Sequence, residues 1–264
     1  MSALRLLILD IETLPNCVFV WSLFGQDRIP DDMVESPGYT GCVSVKWLGE
    51  KGVHTRLIRR KASDAPDKKA LKWLAGLLEE ADGVITYNGK KFDIPILQRE
   101  FLEAGIRNPD VQGHIDLYRD VVTKLCFASG KMGFVAKRLG IALKVKHKGI
   151  DMWLGCREGE KKSWDDMLRY NRQDIKVTEE MYMKLRHLVA NHPNAALKAP
   201  GRPPLDDGNR PECRNCGSDR LSRNGYRRTQ AGVYVRYVCQ KCGAVHKSAK
   251  NLTDKEARAK LVRR

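Results

Sequence analysis

No apolar run in this sequence exceeds a handful of residues, Leu6–Leu9 being typical. A membrane-spanning helix needs about 20 apolar residues, so none is expected. Met1–Asp10 holds one basic residue and that short run, too little for a secretory leader. A cytoplasmic location follows (the host cytoplasm if the source is a phage). There is no internal repeat and no low-complexity tract. At 42% hydrophobic and 30% charged residues the chain reads as globular, which excludes disordered and fibrous classes. Its 264 residues allow one or two domains and an ample core.

Acidic side chains are in the minority: 32 Asp+Glu against 48 Lys+Arg leave a net charge of +16. The imbalance is local. Residues 195–264 carry 17 basic and 6 acidic side chains, whereas residues 1–194 carry 31 and 26. A basic segment on a near-neutral domain points to a polyanion, most often nucleic acid, or else to a solubilising tail. The eight cysteines divide in the same way. Cys17, Cys42, Cys126 and Cys156 stand alone and read as buried apolar thiols. Cys213, Cys216, Cys239 and Cys242 form two CxxC pairs, which without a secretory leader read as zinc ligands before disulfides.

The remaining pattern gives an α/β layered domain. Arg5–Glu12 is a near-continuous apolar run closing on two carboxylates, as in a central strand buried on both faces. Cys17–Phe24, Cys42–Leu48, Val53–Ile58 and Val84–Tyr87 read as further strands, with Gly25–Tyr39 a loop. Asp67–Asp82 is an amphipathic helix ended by Gly83. Pro95–Ala104, Leu117–Phe127 and Lys131–Leu139 read as helices. The longest helix starts at Ser163, with Ser163-x-x-Asp166 as a capping box, and runs to about Val189. Five prolines within Asn191–Glu212 make that stretch a stiff linker. The expected domains are therefore 1–190, a linker 191–212, a cysteine module 213–250 and a basic tail 251–264, where Thr253-x-x-Glu256 is a candidate helix cap.

Four carboxylates stand out. Asp10 and Glu12 are two apart on a strand and share a face. They sit at its carboxyl end, where sites in α/β sheets are built. D-x-E alone is a common pair, and a strand end reaching solvent explains it equally. Asp93 follows a short strand and precedes Ile94-Pro95, where it is either a helix cap or part of a site. Tyr170 and Asp174 lie on a helix face whose other members, Met167, Val177, Met181, Leu185 and Leu188, are all apolar. A carboxylate on such a face needs compensation, from an arginine or from a metal. Together Asp10, Glu12, Asp93 and Asp174 carry −4, the charge that two Mg²⁺ or Mn²⁺ would balance. That is the donor set of two-metal phosphoryl chemistry, in which one ion acidifies a water and the other stabilises the leaving oxygen. Tyr170 is placed to orient that water.

LDIETLP at 9–15, YNGKKFD at 87–93 and YNRQD at 170–174 resemble, in order and spacing, the three motifs of the DEDD 3′–5′ exonucleases. The tyrosine variant (DEDDy) fits best. The segments HIDLYRDVV at 114–122 and KMGFVAKRLGI at 131–141 extend the likeness. It covers about residues 4–190 and is to the RNase H-like proofreading domain of family B DNA polymerases and its stand-alone cousins. The resemblance implies an RNase H-like mixed sheet flanked by helices. It implies Asp10, Glu12, Asp93 and Asp174 as metal ligands and Tyr170 as the residue positioning the water. It also implies Asn88 and Phe92 as shapers of the substrate cleft, and release of nucleoside 5′-monophosphates from a 3′ end. Asp116 is outside the ligand set and reads as structural. A polymerase region does not fit in this length, so proofreading in cis is excluded.

The spacing Cys213-x-x-Cys216, then 22 residues, then Cys239-x-x-Cys242 suits one structural Cys₄ zinc ion. Gly217 and Gly243 follow the pairs and permit tight turns. The module resembles a zinc ribbon, with Val233–Val238 as a strand. Arg227, Arg228, Tyr234 and Arg236 lie between the pairs, cations for phosphates and a ring for bases. The expectation is a metal-dependent 3′–5′ exonuclease on DNA, with RNA as the alternative substrate. Its ribbon would hold nucleic acid or, alternatively, a replication or repair protein. A non-catalytic binding module and a structure-specific endonuclease are the competing functions.

Overall fold

The computed structural model describes residues 4–25, 28–58, 66–142, 149–195, 211–229, 232–254 and 256. They fall into two compact units, Arg5–Met183 and, with Leu4, the residues from Lys184 onward. The first begins with β1 (Leu6–Thr13), then a small antiparallel pair, β2 (Cys17–Val18) and β3 (Val34–Ser36). There follow β4 (Thr40–Trp47), β5 (His54–Leu57), α1 (Lys68–Glu80), β6 (Gly83–Thr86), α2 (Asp93–Glu103) and β7 (His114–Asp116). Helices α3 (Leu117–Asp120), α4 (Met132–Arg138), α5 (Ile150–Arg157) and α6 (Lys161–Leu185) complete it. The five-stranded sheet has the order β5-β4-β1-β6-β7. β1 is antiparallel to β4 and parallel to β6, so the sheet is mixed, as the resemblance implies.

The pleat of β1 decides what each face carries. Leu7, Leu9 and Ile11 enter one core with Leu71, Leu74 and Leu78 of α1 and Leu97 and Phe101 of α2. The α1 stripe is amphipathic, and Asp67 caps it by accepting from the Lys69 and Ala70 amides at 3.0 Å. Asp10 and Glu12 alternate with Ile11 and so turn to the opposite face. There α6 lies across the sheet, tied by Asn171 to Asp10 and by Glu179 to Lys46.

Several expectations need correction. Only Cys17 and Val18 of Cys17–Phe24 are in a strand; beyond them the apolar residues have no sheet face to enter and stay exposed. Leu117–Phe127 is not one helix: α3 ends at Asp120 and a single turn, Val122–Lys124, follows. The helix α6 starts at Lys161, so Ser163 is inside it and donates its hydroxyl to Glu160 rather than capping. Leu188 is exposed because the regular helix ends at Leu185 and a tighter turn follows. Gly83 opens β6; the α1 helix closes at Ala81. Of the solitary thiols, Cys42 and Cys156 are buried, Cys17 is half-buried and Cys126 is exposed. Strand β3, inside the expected loop Gly25–Tyr39, strand β7 and helix α5 were not expected from the pattern. Most of the linker and the tail lie outside the described residues.

The second unit contains a three-stranded antiparallel sheet, with β9 (Gly232–Cys239) between β8 (Leu221–Thr229) and β10 (Val245–Asn251). Its buried centre is small: Cys213, Cys239 and Ala244, with Cys216, Leu221 and Cys242 against them. Among the described residues no helix is long and apolar enough to cross a membrane.

Candidate active site

The acid site is built where β1 outruns its neighbour. β6 pairs with β1 only as far as Ile85 opposite Ile8, leaving the Ile11 amide without a strand partner on that side. Asp93 fills the gap. It is the first residue of α2, and its Oδ1 accepts from the Ile11 amide at 3.0 Å. Asp93 is therefore not a helix cap; the cap position is Phe92, which makes no side-chain capping bond. The loop that delivers Asp93 is itself clamped. Buried Asp116 accepts from the amides of Asn88 at 2.8 Å, Lys90 at 3.0 Å and Arg119 at 3.1 Å. Gly89 packs so tightly on Thr86 that a Cβ would lie 2.4 Å from its hydroxyl.

One oxygen each from Asp10, Glu12 and Asp174 come within 4.8 Å of one another. Asp93, the fourth expected ligand, is outside that group of three, though its charge acts on both Asp10 and Glu12. Tyr170, one turn before Asp174, donates its hydroxyl to that carboxylate. Burial and the like charges of Asp93, Glu12 and Asp174 hold the Asp10 carboxyl well above the usual range. Glu12 is pushed up to about 8 by burial and by Asp174 and Asp93. Asp93 is raised to about 7 and Asp174 to about 6, both by burial. Burial and the surrounding carboxylates raise the Tyr170 hydroxyl, so it stays protonated at neutral pH. Among the described residues, none of the ion pairs reaches any of the four carboxylates. The arginine that would have given them a purely structural role is therefore not among the described residues.

Asn171 is the residue the sequence reading passed over. It is fully buried and its Nδ2 donates to Asp10 Oδ2 at 2.6 Å. Its own Oδ1 faces the Cys42 thiol at 3.8 Å. The signal was in the YNRQD segment, since Asn171 precedes Asp174 by three residues and shares its helix face.

Asn88 and Phe92 flank the same loop. Asn88 adopts φ +67°, which asparagine tolerates, and its Oδ1 accepts from Arg119 Nε at 3.3 Å. Phe92 is half-exposed immediately before Asp93.

In the second unit the four cysteine sulfurs lie within 4.8 Å of one another. Cys213 and Cys242 are 3.5 Å apart, Cys216 and Cys239 3.7 Å. Tetrahedral zinc with bonds of about 2.3 Å sets sulfurs about 3.8 Å apart, so the donor set fits that ion. Gly217 and Gly243 take φ +67° and +77°, and their amides close matching turns on the Cys213 and Cys239 carbonyls. Burial opposes ionisation of Cys239. The amides of Cys242 and Lys241, with the Cys213 and Cys216 thiols, nevertheless draw it down to about 7. His246 Nε2 lies 3.2 Å from Cys213 Sγ. On the sheet, Arg227 pairs across from Tyr234, and Arg236 across from Lys247, whose ammonium sits 3.9 Å over the Tyr234 ring. Arg227, Tyr234 and Arg236 thus share one face, while Arg228, opposite Val233, is on the other.

No curated protein matches the chain. Among solved structures, the family B DNA polymerase from the hyperthermophilic archaeon Pyrobaculum calidifontis is similar, with a TM-score of 0.49 at 18% identity. The match covers 71% of this chain and 25% of that one, so the chain spans about a quarter of the polymerase's length. Residues 33–186 match the RNase_H superfamily, a relationship that supports a nuclease acting on nucleic acid. That match takes in more than half of the sequence, and the chain belongs to the RNase_H superfamily.

Proposed function

We propose that the protein is a divalent-metal-dependent 3′–5′ exonuclease that removes nucleoside 5′-monophosphates from DNA. The observation that carries this reading is the convergence of Asp10, Glu12 and Asp174, with Asp93 beside them and no cation paired to any among the described residues. Buried carboxylates left in this state repel one another, and hard divalent cations match their oxygens. In the proposal Asp10, Glu12, Asp93 and Asp174 hold two Mg²⁺ or Mn²⁺. Ions bound there supply charge stabilisation at the phosphodiester and a more acidic water. Tyr170, its hydroxyl protonated and aimed by Asp174, orients the water. Asn88 and Phe92 border the path of the substrate. The Cys₄ set holds one zinc ion, and Arg227, Tyr234 and Arg236 form a nucleic-acid-binding face, with Arg228 contributing from the reverse side. The proposed domains are 1–190 for catalysis, 191–212 as linker, 213–250 as ribbon and 251–264 as tail. The division of contacts near Met183 supports that scheme.

The test is a substrate panel of single- and double-stranded DNA and RNA, labelled at the 5′ end, with Mg²⁺, Mn²⁺ or chelator. A metal-dependent ladder stepping down by single nucleotides is the expected result. Internal fragments would make the protein an endonuclease. Tight binding with no cleavage in either metal would make it a binding module.

A further inference from the structure

Large exposed apolar side chains crowd into one short segment. Phe19 is 65% exposed, Trp21 93%, Leu23 87% and Phe24 86%. The residues from Cys17 to Gly25 carry no charge. Large exposed apolar side chains gathered this closely along the chain point to an interaction site.

The segment is held on a built stalk. Cys17 and Val18 pair with Ser36 and Val34, and the Phe19 amide donates to the Met33 carbonyl at 2.8 Å. Lower down, the Leu14 amide donates to the Tyr39 carbonyl at 2.8 Å, and the Gly38 amide to Asn16 Oδ1 at 2.5 Å. Gly38 has no alternative, since a Cβ there would lie 2.5 Å from the Leu14 carbonyl. Arg157 of α5 ties both limbs, donating to the Pro15 carbonyl and the Ser36 hydroxyl. The stalk leaves the sheet directly after Glu12 and Thr13 and returns at Thr40, the partner of Thr13. It therefore rises from the end of β1 that bears Asp10 and Glu12. Trp21 is nine positions beyond Glu12, at most about 30 Å of chain.

We propose that this tip is a stacking platform for the bases of a single strand entering the acid site. The inference rests on the nuclease reading for its choice of ligand. Aromatic faces stack on any base without sequence preference. The tip carries no charged side chain, and in the return limb the single cation Arg28 is outnumbered by Asp31, Asp32 and Glu35, which repel phosphates. The platform therefore holds bases and leaves the backbone to basic surfaces elsewhere. A contact of that kind releases no counterions, so its contribution does not depend on salt.

The experiment uses the full chain carrying Asp10→Ala and Glu12→Ala, so that a labelled oligothymidylate of about 12 nucleotides survives. Affinity is measured by fluorescence anisotropy across a range of KCl, with and without Trp21→Ala and Phe24→Ala. The expected result is a loss of about tenfold or more at every salt concentration, with the salt slope unchanged. Both side chains are exposed, so the melting temperature should not move. In the otherwise wild-type chain, a dinucleotide too short to reach the tip should be cut normally while KM for the longer strand rises. Unchanged oligonucleotide affinity would overturn the proposal and leave the patch to a protein partner. A flattened salt slope would overturn the stacking mode. Loss of affinity in a protein that cuts nothing would sink the nuclease reading alone; normal cutting with unchanged affinity would sink the platform alone.

Discussion

The two candidate metal centres of this chain are opposites in what supports what. The acid site stands on a five-stranded sheet whose core joins Leu7, Leu9 and Ile11 to two helices, so the fold exists first and then forces carboxylates together. Its price is visible in Glu12, held near 8, and Asp93, held near 7. The cysteine centre has scarcely any core besides its own ligands. There the sulfurs are drawn into register by two matching turns, and three strands hang from them. The difference teaches that the same act, removing the ion, should have contrary results. It should relax nothing in the first unit except charge, and it should dissolve the second.

The largest expected effect tests the cysteine side. Structural zinc in small modules contributes roughly 10–16 kcal/mol of apparent folding free energy at neutral pH. Stripping one zinc per chain, or replacing Cys216 by Ser, should abolish amide protection across β8–β10. The β1–β4 ladder should keep its protection. Hydrogen exchange with zinc quantified by mass spectrometry makes the measurement. Protection retained in β9 after zinc loss would erase the contrast between the units.

The acid side should answer in the opposite sense. Replacing Glu12 by Gln should lower cleavage by about a thousandfold or more. In magnesium-free buffer the same change should raise stability on the order of 2 kcal/mol at pH 8, because it removes a charge the fold opposes. The pH dependence follows. Glu12, Asp93 and Asp174 have folded-state values near 8, 7 and 6, above their ordinary 4.5, 3.8 and 3.8. Groups raised in the folded state contribute stability that is full below about pH 4 and is lost as pH climbs through about 6 to 8. The metal-free wild type should thus lose melting temperature across that window. Mg²⁺ should restore more at pH 8 than at pH 5. A wild type whose metal-free melting temperature rises from pH 5 to 8 would contradict the charge argument.

How much of this was legible in the residues follows from the range of the forces involved. The apolar run closing on Asp10 and Glu12, the two CxxC turns with their glycines, and the leucine stripe of α1 are local patterns, and each lies where the sequence put it. Phe19–Phe24 read as strand because its residues favour one. Among the described residues no neighbouring strand takes them up, and β-propensity without a partner does not make a sheet. Strand β7 was missed because three residues give no period to detect. Asp93 was ambiguous until a distant vacancy, the Ile11 amide beyond the end of β6, gave its carboxylate a partner 82 positions away. Asn171 was missed for a related reason. Its contact with Asp10 spans 161 positions, and although it lies three residues before Asp174 on the same helix face, nothing local names the partner it meets there.

The smallest expected effect sharpens the picture of the acid site as a place arranged by the fold. Asn171 is buried between the Cys42 thiol and Asp10, and it gives the one side-chain hydrogen bond that lowers the Asp10 carboxyl against its burial. It cannot reach a substrate from there without giving up that bond, so its effect runs through Asp10. Replacement by Ala removes the donor and frees the carboxylate to rotate. Outer-shell partners of this type are worth about 10–100-fold in metal affinity or activity. The Mg²⁺ concentration for half-maximal cleavage should rise about tenfold, while the rate at saturating Mg²⁺ falls much less. A purely packing role would instead lower the melting temperature and leave the Mg²⁺ titration in place. Asn171→Asp separates the two further, because it keeps the volume but adds a fifth carboxylate. If the site behaves as a cluster of like charges that a cation relieves, that variant should need less Mg²⁺ than Asn171→Ala does, and the difference should shrink as pH falls and the added acid is neutralised.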